Sequence, residues 1–271
     1  MPALVARVKL VLSDVDGTLV TSDKRLTARS VAAVAALGDA GIRFALTSAR
    51  PPQGLAAYVE ALSLTTPLGA FNGGVIVDPQ LRVLAESLIE ADLAHQMIDV
   101  LKTQGLAPWV YQGAHWYVTD VNAPHVAHEA AVSHDTPEEV ANYSFLAGGV
   151  AKIVGVSDDD TRSAAALEVM RERFSSRASV SRSQSYYLDV TDLAANKGRV
   201  VHFLSAYYDL APEEIATIGD MHNDVAMFEA SGLSIAMGNA APDVRERAHE
   251  VTTSNDDEGF ATAIERFILD A

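Results

Sequence analysis

The sequence predicts an α/β protein in which a mostly parallel sheet is interrupted by a second, inserted α/β domain. Three observations carry that expectation. Short β-branched apolar runs alternate with Ala-rich stretches of helical period, the pattern of βαβ units. This alternation occupies both ends of the 271-residue chain. Between about 82 and 190 the texture changes to alternating polar and apolar segments, and both tryptophans, Trp109 and Trp116, and five of the eight tyrosines lie there.

Taken in order, "VKLVL" at 8–12 reads as the first strand. "LTARSVAAVAALGDAG" at 26–41 reads as a helix, with Thr27 as N-cap and Gly41 past its end. "IRFALT" (42–47) is a second strand, "PPQGLAAYVEAL" (51–62) a second helix and "LGAFNGG" (68–74) a third strand and turn. "HWYVTDV" and "SYYLDV" suggest antiparallel strands inside the insert. The first grammar then returns: a helix at 197–208, a strand "IATIGD" at 215–220, a helix at 223–231, a strand "LSIAM" at 233–237 and a C-terminal amphipathic helix. The expected domains are 1–81 with 191–271, and 82–190. The acidic run "SDDDTRS" (157–163) reads as a solvated helix start whose aspartates suit the dipole.

Composition excludes several classes. A hydrophobic content of 49% is ample for a sizeable core, and the absence of cysteine removes disulfides and thiolate metal sites. Arg7 and Lys9 interrupt the N-terminal apolar stretch, so it lacks the h-region of a signal peptide, and no segment reaches about 18 uninterrupted apolar residues. The expectation is a soluble cytoplasmic protein. A formal charge of −16 opposes nucleic acid or an anionic membrane as partner. The chain carries no signature of its oligomeric state.

The chemistry begins at "LVLSDVDGTLV" (10–20), an apolar run that ends in two carboxylates. An Asp-Gly turn accounts for Asp16 but not for Asp14. In an extended chain residues i and i+2 point the same way, so Asp14 and Asp16 are placed together at the carboxyl end of a strand, where ligands of open α/β sheets sit. Adjacent like charges call for a cation. "IATIGDMHNDVAMF" supplies further acids, Asp220 directly after a strand and Asp224 one helical turn on. Carboxylate oxygens without softer donors suit Mg²⁺; a lone His222 beside them reads as a loop or packing residue. In "LTSARP", the hydroxyl of Ser48, or of Thr47, is a donor for a phosphate oxygen, or else Ser48 caps the helix that follows. Lys197, the only lysine between 153 and 271, stands at a helix start, where it opposes the dipole and calls for an anionic neighbour.

"DVDGTL", "LTSARP", "NKG" and "GDMHND" occur in the order of the four motifs of the haloacid dehalogenase-like phosphohydrolases, and the chain resembles the Cof-type, sugar-phosphatase-like branch of that superfamily. "FNGG" (71–74), "AMGNA" (236–240) and "TTSNDDEGFA" (252–261) resemble that branch as well. The resemblance implies a Rossmann-like doubly wound core and an inserted cap that selects the leaving group. It further implies Asp14 as the nucleophile that becomes an aspartyl-phosphate, and Asp16 as general acid and then base. Mg²⁺ would be held by Asp14, the main-chain carbonyl of Asp16 and Asp220, with Asp224 in support. Ser48 and Lys197 would hold phosphoryl oxygens, and Asn223 would orient phosphate or a neighbouring side chain. "SARP" departs from the common T-G-R-P: the hydroxyl survives and the flexible glycine does not. "LAAN" before Lys197 also lacks a glycine often found there.

The resulting expectation is a phosphatase for a small phosphorylated metabolite, a sugar or polyol phosphate. A mutase or phosphotransferase on the same core would return the phosphoryl group to an organic hydroxyl. A non-enzymatic receiver-like switch would have no use for Asp16 as acid and base or for the insert. Trp109, Tyr111, Trp116, Tyr186 and Tyr187 are placed either to stack on a sugar or, as aromatic clusters more often do, to form core. Arg182 reads as solvated, or as the contact for a second anionic group.

Overall fold

Strand β1 (Leu10–Asp14) is buried at all five positions, as a strand with helices on both faces must be. The structure, a computed structural model, describes residues 8–113, 115–133 and 135–270. Helix α1 (Ala28–Asp39) starts at Thr27, whose side chain accepts the Ser30 N–H, and buries Ser30, Ala33, Val34 and Leu37 along one stripe. Strand β2 (Arg43–Thr47) pairs parallel with β1. The expected helix at 51–62 is divided. Two prolines and Gly54 tighten its start into a 3₁₀ turn, Pro52–Leu55, and only α2 (Ala56–Ala61) is α-helical. Strand β3 (Leu68–Ala70) is parallel to β2, but the chain then doubles back as β4 (Val75–Val77), antiparallel to β3, and continues to β5 (Val83–Glu86). These two strands are absent from the sequence reading. Asp78 turns the chain between them, its Oδ1 accepting the N–H groups of Gln80 and Arg82, each at 2.9 Å.

The chain divides into two units, Met1–Leu84 with Asn196–Ala271, and Ala85–Ala195. The second unit contains α3 (Ala91–Thr103), β6 (Ala107–Gln112), β7 (His115–Val118), α4 (Val126–Ser133), β8 (Pro137–Glu139), β9 (Lys152–Val156), α5 (Asp160–Phe174), β10 (Ala178–Gln184) and β11 (Tyr187–Asp192). Among the described residues its six strands lie in the order β10-β11-β9-β6-β7-β8, antiparallel except for β7 with β8. Met97, Ile98, Leu101, Met170 and Phe174 of the two longer helices pack with Val110, Ile153, Leu188 and Val190 of the sheet. By strand alternation Trp109, Tyr111 and Tyr187 face the other way. They are buried and pack on one another and on Trp116, with Trp109 edge-on to Trp116 at 5.2 Å and to Tyr187 at 5.3 Å. These four aromatics are core, while Tyr186 stacks on His125 at 4.0 Å. Asp159 caps α5, and Arg182 is bound by Asp160 and the Ser185 carbonyl rather than solvated. The unit ends beyond the 190/191 position read from the sequence because β11 runs on to Asp192.

The first unit resumes with α6 (Lys197–Tyr208), whose N-cap Asn196 accepts the Arg199 N–H. Then come β12 (Ile215–Gly219), α7 (Val225–Ala230), β13 (Leu233–Ala236), α8 (Pro242–Arg245), β14 (Glu250–Val251) and α9 (Gly259–Ile264), which passes into a π turn, Glu265–Leu269. Among the described residues the eight strands of this sheet are ordered β14-β13-β12-β1-β2-β3-β4-β5. Succession runs outward to one side from β1 and to the other from β12, so the switch point of this Rossmann-like doubly wound sheet lies between those two neighbours. Leu10, Leu12, Val200, Leu204, Met227 and Phe228 form the core with α6 and α7. Among the described residues no helix is long and apolar enough to cross a membrane.

Phe260 of α9 packs edge-on against Phe44 of β2 with ring centroids 5.7 Å apart, and is 1% exposed. Phe260→Ala should cost about 3–5 kcal/mol, read as a lower urea midpoint.

Candidate active site

The carboxyl ends of β1 and β12 flank the switch point, so the acids that follow those strands are brought together by topology. Asp14 is the last residue of β1, and Asp220 follows β12 directly. Asp224 lies one short 3₁₀ turn further, ahead of α7. Each of the three offers a carboxylate oxygen within 4.8 Å of the others, and all three are buried. Lys197, 1% exposed at the first turn of α6, places Nζ 2.6 Å from Asp14 Oδ1 and 2.5 Å from Asp224 Oδ1. The other oxygen of Asp224 accepts the main-chain N–H groups of Asp220 and Met221, each at 2.8 Å. Asp224 thereby orients Lys197 and the Asp220 loop. Asp220 accepts from Thr18 Oγ1 at 3.0 Å and from Asn239 Nδ2 at 3.2 Å.

Space at this junction is limiting. Gly17 has φ +82°, and a Cβ there would fall 2.3 Å from Asp220 Oδ2, so the turn after Asp16 admits only glycine beside that carboxylate. The Asn239 amide ties the same turn down through the Gly17 carbonyl at 2.9 Å.

Charge at the junction does not balance: among the described residues, three carboxylates meet one ammonium. Burial, opposed by Lys197 and reinforced by Asp224 and Asp220, raises Asp14 well above the usual carboxylate range. Burial and Asp224 likewise raise Asp220 to about 6, despite Thr18, Lys197 and a hydrogen bond with Asp14. For Lys197 burial works against the ammonium, but Asp14 and Asp224 outweigh it and push the group upward, so it stays charged. Two carboxylates in hydrogen-bonding reach either share a proton or bracket a cation. A donor set of buried hard oxygens, without sulfur or imidazole, fits Mg²⁺. His222 is not part of it: its Nε2 is 2.7 Å from Asp243, and both side chains are exposed.

Asp16 stands apart from the buried trio. Its carboxylate is held by the Arg50 fork, Nε to Oδ2 at 2.7 Å and Nη2 to Oδ1 at 2.8 Å, and by Lys24 Nζ at 2.8 Å. Burial pushes this carboxyl up, but Arg50 and Lys24 prevail and hold it at about 2. Ser48 follows β2 and is buried; its Oγ accepts the Arg50 N–H at 3.2 Å, which leaves the hydroxyl proton to donate elsewhere. Thr47 is also buried, and its Oγ1 has no hydrogen-bond partner. Asn223 is exposed and donates to Asn72 Oδ1 at 2.9 Å, so it meets a neighbouring side chain.

Sequence reasoning missed Thr18, Lys24, Arg50, Asn72 and Asn239. Four of them lie in or beside quoted motifs: Thr18 in "DVDGTL", Arg50 in "LTSARP", Asn72 in "FNGG" and Asn239 in "AMGNA". The signal was present, but only the fold shows what each side chain reaches. Asn255 of "TTSNDDEGFA" acts one step further out, its N–H on Asn239 Oδ1 at 3.0 Å and its amide on the Val20 carbonyl at 2.9 Å.

Comparison with known proteins shows the family and the fold. The profile of the haloacid dehalogenase-like hydrolase family matches residues 11–264. A Haemophilus influenzae relative, provisionally named a phosphatase, is 30% identical over 258 residues, covering 95% of this chain and 97% of its own. The 5-amino-6-(5-phospho-D-ribitylamino)uracil phosphatase YcsE of Bacillus subtilis is 26% identical over 263 residues, covering 97% and 96%. Among solved structures, a haloacid dehalogenase-like hydrolase from Bacteroides thetaiotaomicron superposes with a TM-score of 0.87 at 27% identity, covering 96% of this chain and all of that one.

The charge imbalance sets a pH dependence. Asp220 titrates at about 6 in the folded chain and near 4 when unfolded. Between those values the metal-free folded state holds more protons, so its stability rises as pH falls. The melting temperature in chelator should climb from pH 7 to pH 5, and saturating Mg²⁺ should raise it at pH 7 and flatten the slope. Asp220→Asn should remove much of the slope and weaken the Mg²⁺ response. The contribution of Asp16, lowered to about 2, is present above its unfolded value near 4 and is lost only as pH falls through 2.

Proposed function

The chain belongs to the haloacid dehalogenase-like hydrolases, and from that membership and its site we propose a Mg²⁺-dependent phosphomonoesterase that works through an aspartyl-phosphate on Asp14. The carrying observation is the junction at the switch point, where Lys197 bridges Asp14 and Asp224 beside Asp220, with the second acid, Asp16, held outside it. Mg²⁺ would be held by Asp14, Asp220 and the main-chain carbonyl of Asp16, and would supply the positive charge that lets one anion approach another.

Asp14 attacks phosphorus in line and the ester P–O bond breaks, with Asp16 giving its proton to the departing alkoxide. Asp16 then takes a proton from water, which attacks phosphorus, frees phosphate and regenerates Asp14. Lys197 and the Ser48 hydroxyl hold equatorial oxygens, where negative charge collects. In the Arg50 fork Asp16 is ionised, the form that serves as base; to act as acid it must turn out of the fork. Asp224 serves by orienting Lys197 and the Asp220 loop, and Asn223 by the contact to Asn72.

The substrate class we infer is a sugar or polyol phosphate. The B. subtilis relative's substrate carries a phosphorylated ribityl chain, a polyol phosphate. The inserted unit is assigned leaving-group selection as a cap, and a cytoplasmic location follows from where charged metabolites are retained. A panel of phosphorylated metabolites assayed with Mg²⁺ tests the whole reading. Phosphate release marks hydrolysis, transfer to an added alcohol marks a mutase or transferase, and a long-lived phosphoprotein without turnover marks a receiver-like switch.

The two aspartates should separate kinetically. With an activated aryl phosphate, which needs little protonation on leaving, Asp16→Asn should release a burst of phenol near one equivalent of enzyme. Turnover should then slow by about 10²–10⁴-fold. Asp14→Asn should show no burst. An Asp16→Asn variant that binds Mg²⁺ normally and shows neither burst nor base-labile phosphate would refute this division of labour.

A further inference from the structure

The turn at 71–74, the "FNGG" of the sequence, has entered the chemistry so far only through the contact of Asn72 with Asn223. Its backbone is unusual: Phe71 and Asn72 have φ of 49° and 55°, and Gly73 follows at 86°. Side chains rarely adopt this left-handed region, and phenylalanine less readily than asparagine, so such residues persist only where their surroundings hold them. The surroundings here are the phosphate-site segments themselves. The Phe71 N–H donates to the Arg50 carbonyl at 2.9 Å and the Asn72 N–H to the Ser48 carbonyl at 2.8 Å. Asn72 Oδ1 accepts from Asn223 Nδ2 at 2.9 Å, and the Gly73 carbonyl accepts from Arg199 Nη1 at 2.5 Å. A Cβ on Gly73 would lie 2.4 Å from the carbonyl oxygen of Asn196, the N-cap of the Lys197 helix. One turn therefore touches the segments that carry Ser48, Lys197 and Asn223, which come from three separate βα units.

The direction in which Ser48 can donate follows from its backbone. Its N–H is fixed on the Gly69 carbonyl at 2.8 Å and its carbonyl on the Asn72 N–H. Asn223 is exposed, and its contact to Asn72 sets which way its amide faces. We propose that Asn72 is a positioning residue. Its main-chain N–H sets Ser48 and its side-chain carbonyl sets the Asn223 amide, so that both present donors to the same phosphoryl group. This deepens the phosphatase reading and rests on it. Asparagine suits the task because it tolerates the left-handed region and carries an acceptor that reaches across the turn.

Asn72→Gly separates the two functions, since glycine keeps the left-handed backbone and the Ser48 contact but removes the acceptor for Asn223. It should melt with the wild type and keep its Mg²⁺ affinity. Its kcat on an aryl phosphate should fall about 10–100-fold, the scale of a misplaced binding group, with a parallel loss of affinity for orthovanadate. Asn223→Ala should show the same loss, and the double variant should be no worse than the poorer single one. Asn72→Ala should in addition melt lower, because alanine strains at this φ. Wild-type kcat and vanadate affinity in Asn72→Gly, or losses that multiply in the double variant, would overturn the proposal. If variants at 72 fold poorly, Asn223→Ala still decides: full activity there overturns it. A wild-type chain that hydrolyses no phosphoester would instead overturn the phosphatase reading, whereas variants matching an active wild type remove only the role of Asn72.

Discussion

The ion pairs of Lys197 with Asp14 and Asp224 are the constraint around which the first unit is organised. All three groups are out of water, and a buried charge without a partner costs several kcal/mol (about 3–5 when one partner is removed). The sheet order brings two of them together, because β1 and β12 are neighbours with opposite succession. The close packing of Gly17 on Asp220, the two main-chain N–H groups on Asp224 and the Asn255–Asn239–Asp220 relay all keep that cluster assembled. Its remaining negative charge makes it a ready cation site. Stability and chemistry are thus coupled through the same three side chains.

Arg50 shows the opposite solution at close range. It cradles Asp16 in two charge-assisted bonds, lies with its guanidinium carbon 5.5 Å from the Tyr58 ring centroid, and gives its own N–H to Ser48. Two aspartates separated by one valine consequently have opposite electrostatics, one raised by burial among carboxylates and one lowered by a guanidinium. The split runs opposite to what a nucleophile and a general acid need, so the proposed division of labour requires a cation that keeps Asp14 ionised and release of Asp16 from the Arg50 fork.

Much of this was legible in the sequence. The helix expected at 197–208 matches α6 to the residue, because a capping asparagine and a left-handed Asp209 bound it. β1, β2 and β12 declare themselves by short, mostly apolar runs. What escaped was short or dependent on partners. β4 and β5 hold three and four residues, too few for a periodic signal, and exist through pairing along the edge of the sheet. The proline pair cut the second helix short. Arg50 and Asn72 look like ordinary loop residues until the fold shows that one grips Asp16 and the other Asn223. The aromatics of the insert were readable as either core or ligand platform, and strand alternation together with the second layer of packing makes four of them core.

The Lys197–Asp14 pair spans 183 positions, and an entire independently packed unit is threaded between its members. During synthesis β1 and β2 therefore emerge long before β12, the strand that closes the other side of β1. Until then β1 presents an unpaired edge and Asp14 lacks Lys197, a state that favours off-pathway strand pairing. The inserted unit, whose contacts are all nearer in sequence, is free to fold in that interval. The insertion point thus gives this chain a temporal order of assembly, with the reaction centre as its closing event.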